Sequence, residues 1–235
     1  MIGKQKLVVK SKLSEYLTNY FEDNPTYKKD INRYLKHSMF TSNHNIFKFL
    51  LNFKPSKTKL ILVVPNDVAP FDSERVLQTN IDIFNTLETE HFYKKLLDNL
   101  LITYYNDFTI PNDDFDFTMK NWEEQGIFVL PVSLAQSKSS MLFEFWKPFI
   151  CDLISHISEE NSHIIFGFCT VDPIYKEAVT NMNCATFMSD KLEYDDTFFS
   201  DINRYIESIN GESERLVFIK KHEESSSYQF LNSKF

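Results

Sequence analysis

Apolar residues in this chain gather into short runs separated by polar stretches, and the spacing inside each run predicts the element it forms. Thr58-Lys-Leu-Ile-Leu-Val-Val-Pro-Asn-Asp-Val-Ala-Pro-Phe71 holds the run around which the others are organised. Leu60 to Val64 are consecutive aliphatic residues, too short for a helix and apolar on both faces, as a central parallel strand requires. Pro65 and Pro70 bracket the turn that follows; they fix φ and lack a donor, so the segment between them cannot extend the ladder. Ligands of open α/β sheets bind just beyond the carboxyl ends of such strands, which makes Asn66 and Asp67 the first candidates for chemistry.

The remaining pattern alternates between the two periods. Leu13, Tyr16, Leu17, Tyr20 and Phe21 fall at helical spacing after Ser11, a second short helix follows through Ile31 and Leu35, and residues 45–53 carry a dense apolar face. Asp72 to Glu90 contains no Pro or Gly and reads as an amphipathic helix through Val76, Ile81, Ile83, Phe84 and Leu87. Ile110 to Thr118 reads as an acidic surface connection and not a strand. Ile127 to Leu130 is a second buried strand, Leu142 to Leu153 a helix, Ser162 to Cys169 a third strand, and Cys184 to Met188 a fourth. Asp172-Pro-Ile-Tyr opens a helix with Pro at its first position, and Ser200 to Ile209 forms another. Leu216 to Ile219 is an edge strand or an extended segment. Strand and helix alternation favours parallel pairing, so the expected fold is α/β: a three-layer α/β/α sandwich around a short four-stranded parallel sheet. One domain is expected over 1–220, helical over 1–57, with a mobile tail over 221–235.

Composition narrows the partners. A formal charge of −8 and a pI near 5.3 disfavour wholesale phosphate binding, leaving room only for a local DNA-contacting patch. Cys151, Cys169 and Cys184 have no paired spacing and read as reduced, mostly buried residues of an intracellular, cytoplasmic protein. No run reaches bilayer length and the first residues lack the apolar segment of a signal peptide, so no membrane association is expected. Four Gly against 23 Phe, with abundant Asn, Lys and Ile, fits an AT-rich coding sequence of viral, phage or plasmid origin.

Four blocks in this order resemble the uracil-DNA glycosylase superfamily. Its Gly-Gln-Asp-Pro-Tyr-His after the first core strand has its counterpart in Val64-Pro-Asn-Asp-Val-Ala-Pro70, where Asp67 keeps the acid and Asn66 replaces Gln. Leu77-Gln-Thr-Asn-Ile is similar to the family's Ser-Leu-x-Asn-Ile helix entrance. Trp122-Glu-Glu-Gln-Gly-Ile-Phe-Val-Leu-Pro131 resembles Trp-x-x-Gln-Gly-Val and the strand that follows it, with Pro131 in place of the base-reading Asn. Met188-Ser-Asp-Lys-Leu192 resembles His-Pro-Ser-Pro-Leu; Met188 replaces the His, and Leu192 keeps the place of the residue that wedges into the duplex. The resemblance further implies that Ala69 leaves open the space where the family's Tyr excludes a thymine methyl, that Phe71 could stack on a base, that Ser137, Lys138 and Ser139 could touch a phosphate, and that Lys191 stands beside the Leu192 wedge.

The departures bear on activity. Glycosylases flip a nucleotide, read its Watson–Crick edge and stabilise charge on sugar and base as the bond breaks. An Asp can support the cationic sugar or orient water, but Met188 has no hydrogen for the departing base, and Pro131 offers neither side-chain polarity nor a backbone donor. The implied function is therefore a non-catalytic glycosylase-like subunit that binds another protein, or is associated with DNA, in a replication or transcription complex. Two alternatives stay open: a divergent enzyme still cleaving the N-glycosidic bond of deoxyuridine, with Asp67 at work, and a DNA-binding protein that keeps the Leu192 wedge without cleavage.

Plainer readings stand beside these. Asp67 could bond turn amides, Phe71 could anchor packing, Leu192 could cap the core and the Ser137–Ser140 stretch could be ordinary loop. Asn112-Asp-Asp-Phe-Asp116 lacks a His or Cys partner and reads as solvated, so neither metal nor cofactor is expected. His156 and His163 flank a helix-to-strand connection, where helix-end charge compensation accounts for them.

Overall fold

In a computed structural model, residues 12–30, 53, 55–65, 96, 99–100, 103–104, 115–116, 119–132, 141–169, 172–189, 195 and 197–221 are described. The aliphatic run forms strand β1 (Leu60–Val64), every residue of it buried. Parallel strands flank it on both sides: β3 (Ile127–Pro131) on one, β4 (Ile165–Phe168) on the other, with β5 (Thr186–Met188) beyond β4. The order β3-β1-β4-β5 is the expected four-stranded parallel sheet.

Side-chain alternation divides the core between two faces. On one face Ile61, Val63, Leu130, Phe166 and Phe168 meet helix α3 (Met141–Glu160) through Trp146, Phe149, Ile150, Leu153 and Ile154. Outside α3 lies α1 (Lys12–Asp23), held by Tyr16, Tyr20 and Phe21. Leu60, Leu62, Val64, Ile127 and Ile165 project to the other face, where α5 (Phe198–Asn210) packs Phe198, Phe199, Ile202 and Ile206. Gly167 sits on β4 beneath α5; a Cβ there would lie 2.8 Å from Leu62 Cδ2 and 3.2 Å from Phe198 Cζ, so only glycine lets the helix come this close.

Helix α2 (Met119–Gln125) ends at Gly126, whose φ of +87° is readily adopted by glycine alone. A Cβ at Gly126 would stand 2.2 Å from the Lys57 carbonyl, and the Gly126 carbonyl accepts from the Lys59 and Leu60 N–H groups. This glycine therefore fixes how β3 enters the sheet beside β1.

Several expectations are corrected. Within the 110–118 stretch, Phe115–Asp116 is a strand, β2, pairing antiparallel with β6 (Lys220–Lys221); two-residue strands carry no period that a sequence could display. Leu216 to Ile219 lies outside either sheet, with a bend at Phe218 and Ile219 just before β6. Pro173 is the N-cap of α4 (Ile174–Glu177) and not its first residue, while Asp172 Oδ1 accepts from the Ile174 N–H at 3.1 Å. Helix α3 runs past Leu153 to Glu160 and tolerates Pro148 in its exposed face, because Ile154 and Ile157 keep extending the buried stripe. His156 lies within that helix, near its carboxyl end, and stacks on Tyr16 with the ring centroids 4.0 Å apart. The helices expected over 31–53 and 72–90 and the tail beyond Lys221 lie outside the described residues.

Segment 216–218 is held by side chains that take the part of a neighbouring strand. Asn203, buried on α5, donates through Nδ2 to the Leu216 carbonyl and accepts the Leu216 N–H at Oδ1, both at 2.9 Å. Gln125 does the same for Val217, accepting its N–H at 2.7 Å and donating to its carbonyl at 2.9 Å. Trp122 Nε1–H donates to the Phe218 carbonyl at 2.7 Å. Asn203→Ala strands a buried N–H and a buried carbonyl together, so we expect a stability loss of about 2 to 4 kcal/mol in urea denaturation with little change of slope.

Candidate functional site: the carboxyl edge of the parallel sheet

All four strands of the main sheet end on one edge, because parallel pairing aligns their directions. Val64 is in register with Pro131, Val63 with Phe168, and Phe168 with Met188. One further bond per strand carries the ladder outward: Val132 N–H to Val64 O at 2.9 Å, Cys169 N–H to Val63 O at 2.8 Å and Ser189 N–H to Phe168 O at 2.9 Å. Pro65, Val132, Cys169 and Ser189 are thus the floor from which the loops of this edge depart.

Pro131 and Met188 both end strands on this edge, on opposite sides of β1. Pro131 closes β3, an outer strand. Since the Val132 N–H faces β1, the nitrogen of Pro131 faces the open side, and its missing donor costs the ladder nothing. Met188 closes β5, half-buried against the apolar cluster of α3, Phe168 and Tyr175. Asn66, Asp67, Ala69, Phe71, Ser137, Lys138, Ser139, Lys191 and Leu192 lie outside the described residues.

On the α5 side, this edge holds further polar groups. Cys169 is buried, and desolvation, aided by the charge of Asp195, pushes its thiol far above the usual range, so it is no nucleophile near neutral pH. Asn99, buried on a helical stretch, donates through Nδ2 to the Asp195 carbonyl at 2.8 Å and ties down the approach to α5. Asp195 Oδ1 accepts from the Thr197 N–H at 3.2 Å and the Thr197 hydroxyl at 2.9 Å, a local turn that sets where α5 begins. Ser189 Oγ is buried and has no hydrogen-bond partner among the described residues. Asn99 and Asp195 meet across 96 positions, a juxtaposition that sequence spacing does not carry; Ser189 lies within the Met188–Leu192 block and Cys169 closes the third apolar run. No cluster of three His, Cys, Asp or Glu side chains suited to a metal occurs among the described residues.

No protein-family model matches this chain, and no curated protein matches it in sequence. Solved structures do. A variant of the mimivirus uracil-DNA glycosylase in complex with UGI is 15% identical, with a TM-score of 0.62 over 85% of this chain and 86% of that one. The mimivirus enzyme without that partner gives 0.58 at 15% identity over 82% of each chain. This is the uracil-DNA glycosylase fold. A glycosylase variant from Nitratifractor salsuginis shares it at 10% identity and a TM-score of 0.52, over 83% of this chain and 88% of its own. Two residues quoted for the resemblance have structural work in this glycosylase fold: Trp122 anchors the 216–218 segment, and Gly126 admits β3 beside β1. No described helix of the chain is long and apolar enough to cross a membrane.

A buried hydroxyl without a partner destabilises the state that buries it. Ser189→Ala is therefore expected to leave stability unchanged or raise it by up to about 1 to 2 kcal/mol. A loss above about 1 kcal/mol in urea denaturation would mean that the hydroxyl has a partner.

Proposed function

We propose that this chain is a glycosylase-fold protein that does not excise bases and acts as a binding subunit, with another protein as its main partner and DNA contact limited to a local patch. The observation that carries the proposal is chemical: the residues ending β3 and β5 at the ligand-binding edge are a proline and a methionine. Base excision needs donors aimed at the departing base, and each one removed costs about a hundredfold to a thousandfold in rate. Neither side chain can donate, and proline has no backbone N–H to substitute. A carboxylate at Asp67 would by itself support only the sugar side of the reaction.

The partner class follows from charge and from precedent. At −8 overall the chain repels nucleic acid except where cations cluster. The mimivirus glycosylase in complex with UGI, a protein inhibitor, is an instance of this fold bound to a protein, and it supports a protein ligand here. A role in a viral, phage or plasmid replication or transcription complex is consistent with the composition.

The test is incubation with uracil-containing single-stranded DNA followed by assay of free uracil and of abasic sites. We expect neither above the protein-free background, and Asp67→Asn should make no difference. Release of uracil that Asp67→Asn abolishes would overturn the proposal in favour of a divergent enzyme.

A further inference from the structure

Helix α5 ends at the amino-terminal edge of the sheet, beside the starts of β1 and β4, on the dipeptide Asn210-Gly211. Such a pair carries its own chemistry. With no side chain on the second residue, its backbone nitrogen can come close to the Cγ of the asparagine, and attack there is one source of the heat lability of asparagine. At Gly211 the approach is open: φ is +88°, and nothing lies within 4 Å of the place a Cβ would take.

Comparison with the other asparagines sets this one apart. Asn24, Asn99, Asn121, Asn161, Asn181 and Asn203 each hold a side-chain hydrogen bond. Asn19, Asn183 and Asn210 are exposed, and no side-chain bond holds them among the described residues. Asn19 is followed by Tyr20 inside α1. Asn183, on the turn that carries the exposed Met182, is followed by the buried Cys184, whose N–H donates to the Asn181 carbonyl at 3.0 Å. Of these exposed asparagines, Asn210 alone precedes a glycine and ends its helix. The bond that stands in the way runs from the Gly211 N–H to the Glu207 carbonyl at 3.0 Å, and it closes the last turn, where helices fray.

We propose that Asn210 is a modification site, converting through a succinimide to aspartate and isoaspartate when that last turn opens. The Gly211 nitrogen gives its proton to hydroxide and bonds to Cγ; the Cγ–Nδ2 bond breaks, and ammonia leaves with a proton from water, which restores the hydroxide. Water then opens the ring at either carbonyl, so the net change is water consumed and ammonia released, with no oxidant or reductant. Both products place a carboxylate at the carboxyl end of α5, where the helix dipole opposes it. Isoaspartate also routes the main chain through Cβ and Cγ, adding a carbon between α5 and the Glu212–Glu214 turn. That lengthens the span between Asn203 and Leu216, which are bonded to each other, and shifts Glu214 against its ion-pair partner Lys59. The reaction uses nothing at the carboxyl edge, so it is independent of what that edge binds.

Peptide mapping of the full chain, incubated folded at mildly alkaline pH, tests this. Trypsin cutting after Arg204 and Arg215 releases Tyr205–Arg215, in which Asn210 is the only side-chain amide. We expect this peptide to gain the mass difference between an amide and a carboxyl group before any other described asparagine reacts, faster as pH rises, with isoaspartate as well as aspartate in the product. Asn210→Gln, a change at an exposed position, should abolish the gain over the same period. Converted chain, separated by anion exchange on its added charge, should unfold at a lower urea concentration than its parent. The urea-unfolded chain gives the rate without the helix. No gain in the folded protein over a period that converts the peptide fully in urea, earlier reaction at another described asparagine, aspartate without isoaspartate, or a converted chain as stable as its parent would each overturn the proposal.

Discussion

Leu60 to Val64 can exist as a strand only where no water reaches either of its faces. A strand apolar on both sides gains nothing from a single covering layer, since half of its side chains would remain in solvent. Two helical layers are therefore a requirement of the sequence, and their placement follows. Helix α3 covers Ile61 and Val63, and α5 covers Leu60, Leu62 and Val64. The two glycines at the sheet adjust this cover to the backbone: Gly167 lets α5 settle, and Gly126 brings β3 into register beside the central strand.

From the same constraint comes the separation of the two edges. Parallel strands must all finish on one side, so the departing loops, the buried Cys169 and Ser189, and the strand-ending Pro131 and Met188 collect there. The opposite edge receives the helix ends and strand entries, and with them Lys57, His163, Ile209 and the Met182 turn. A protein built this way can assign different duties to its two edges without either interfering with the other. The proposed loss of base excision, on that view, concerns one edge alone.

How much of this is legible in the sequence depends on whether the cause is local. Strands β1, β3, β4 and β5 can be read from short apolar runs flanked by turn residues, and α5 from its spacing. The helix α3 runs on to Glu160, beyond the expected Leu153, with Ile154 and Ile157 continuing its buried stripe. Paired strands of two residues leave no period, which hides β2 and β6. As for the candidate site, spacing brings Pro131 and Met188 to strand ends with Ser189 just beyond, whereas Asn99 and Asp195 acquire their positions from a contact between distant segments. The stacking of His156 is hidden for the same reason: its partner, Tyr16, lies far away in the chain.

The clamp on residues 216–218 bears on solubility. Leu216, Val217, Phe218 and Ile219 form a short apolar run that bends at its last two residues, the kind of sequence that templates cross-β assembly when its backbone is free. Here the amides of Asn203 and Gln125 and the indole of Trp122 occupy its N–H and C=O groups one after another. A neighbouring molecule seeking to add a strand at this place would find the N–H and C=O of Leu216 and Val217 and the C=O of Phe218 already occupied. Three side chains thus take up backbone groups that strand addition would need, and the bonds that hold this apolar stretch in place also leave less of it open to a neighbouring chain.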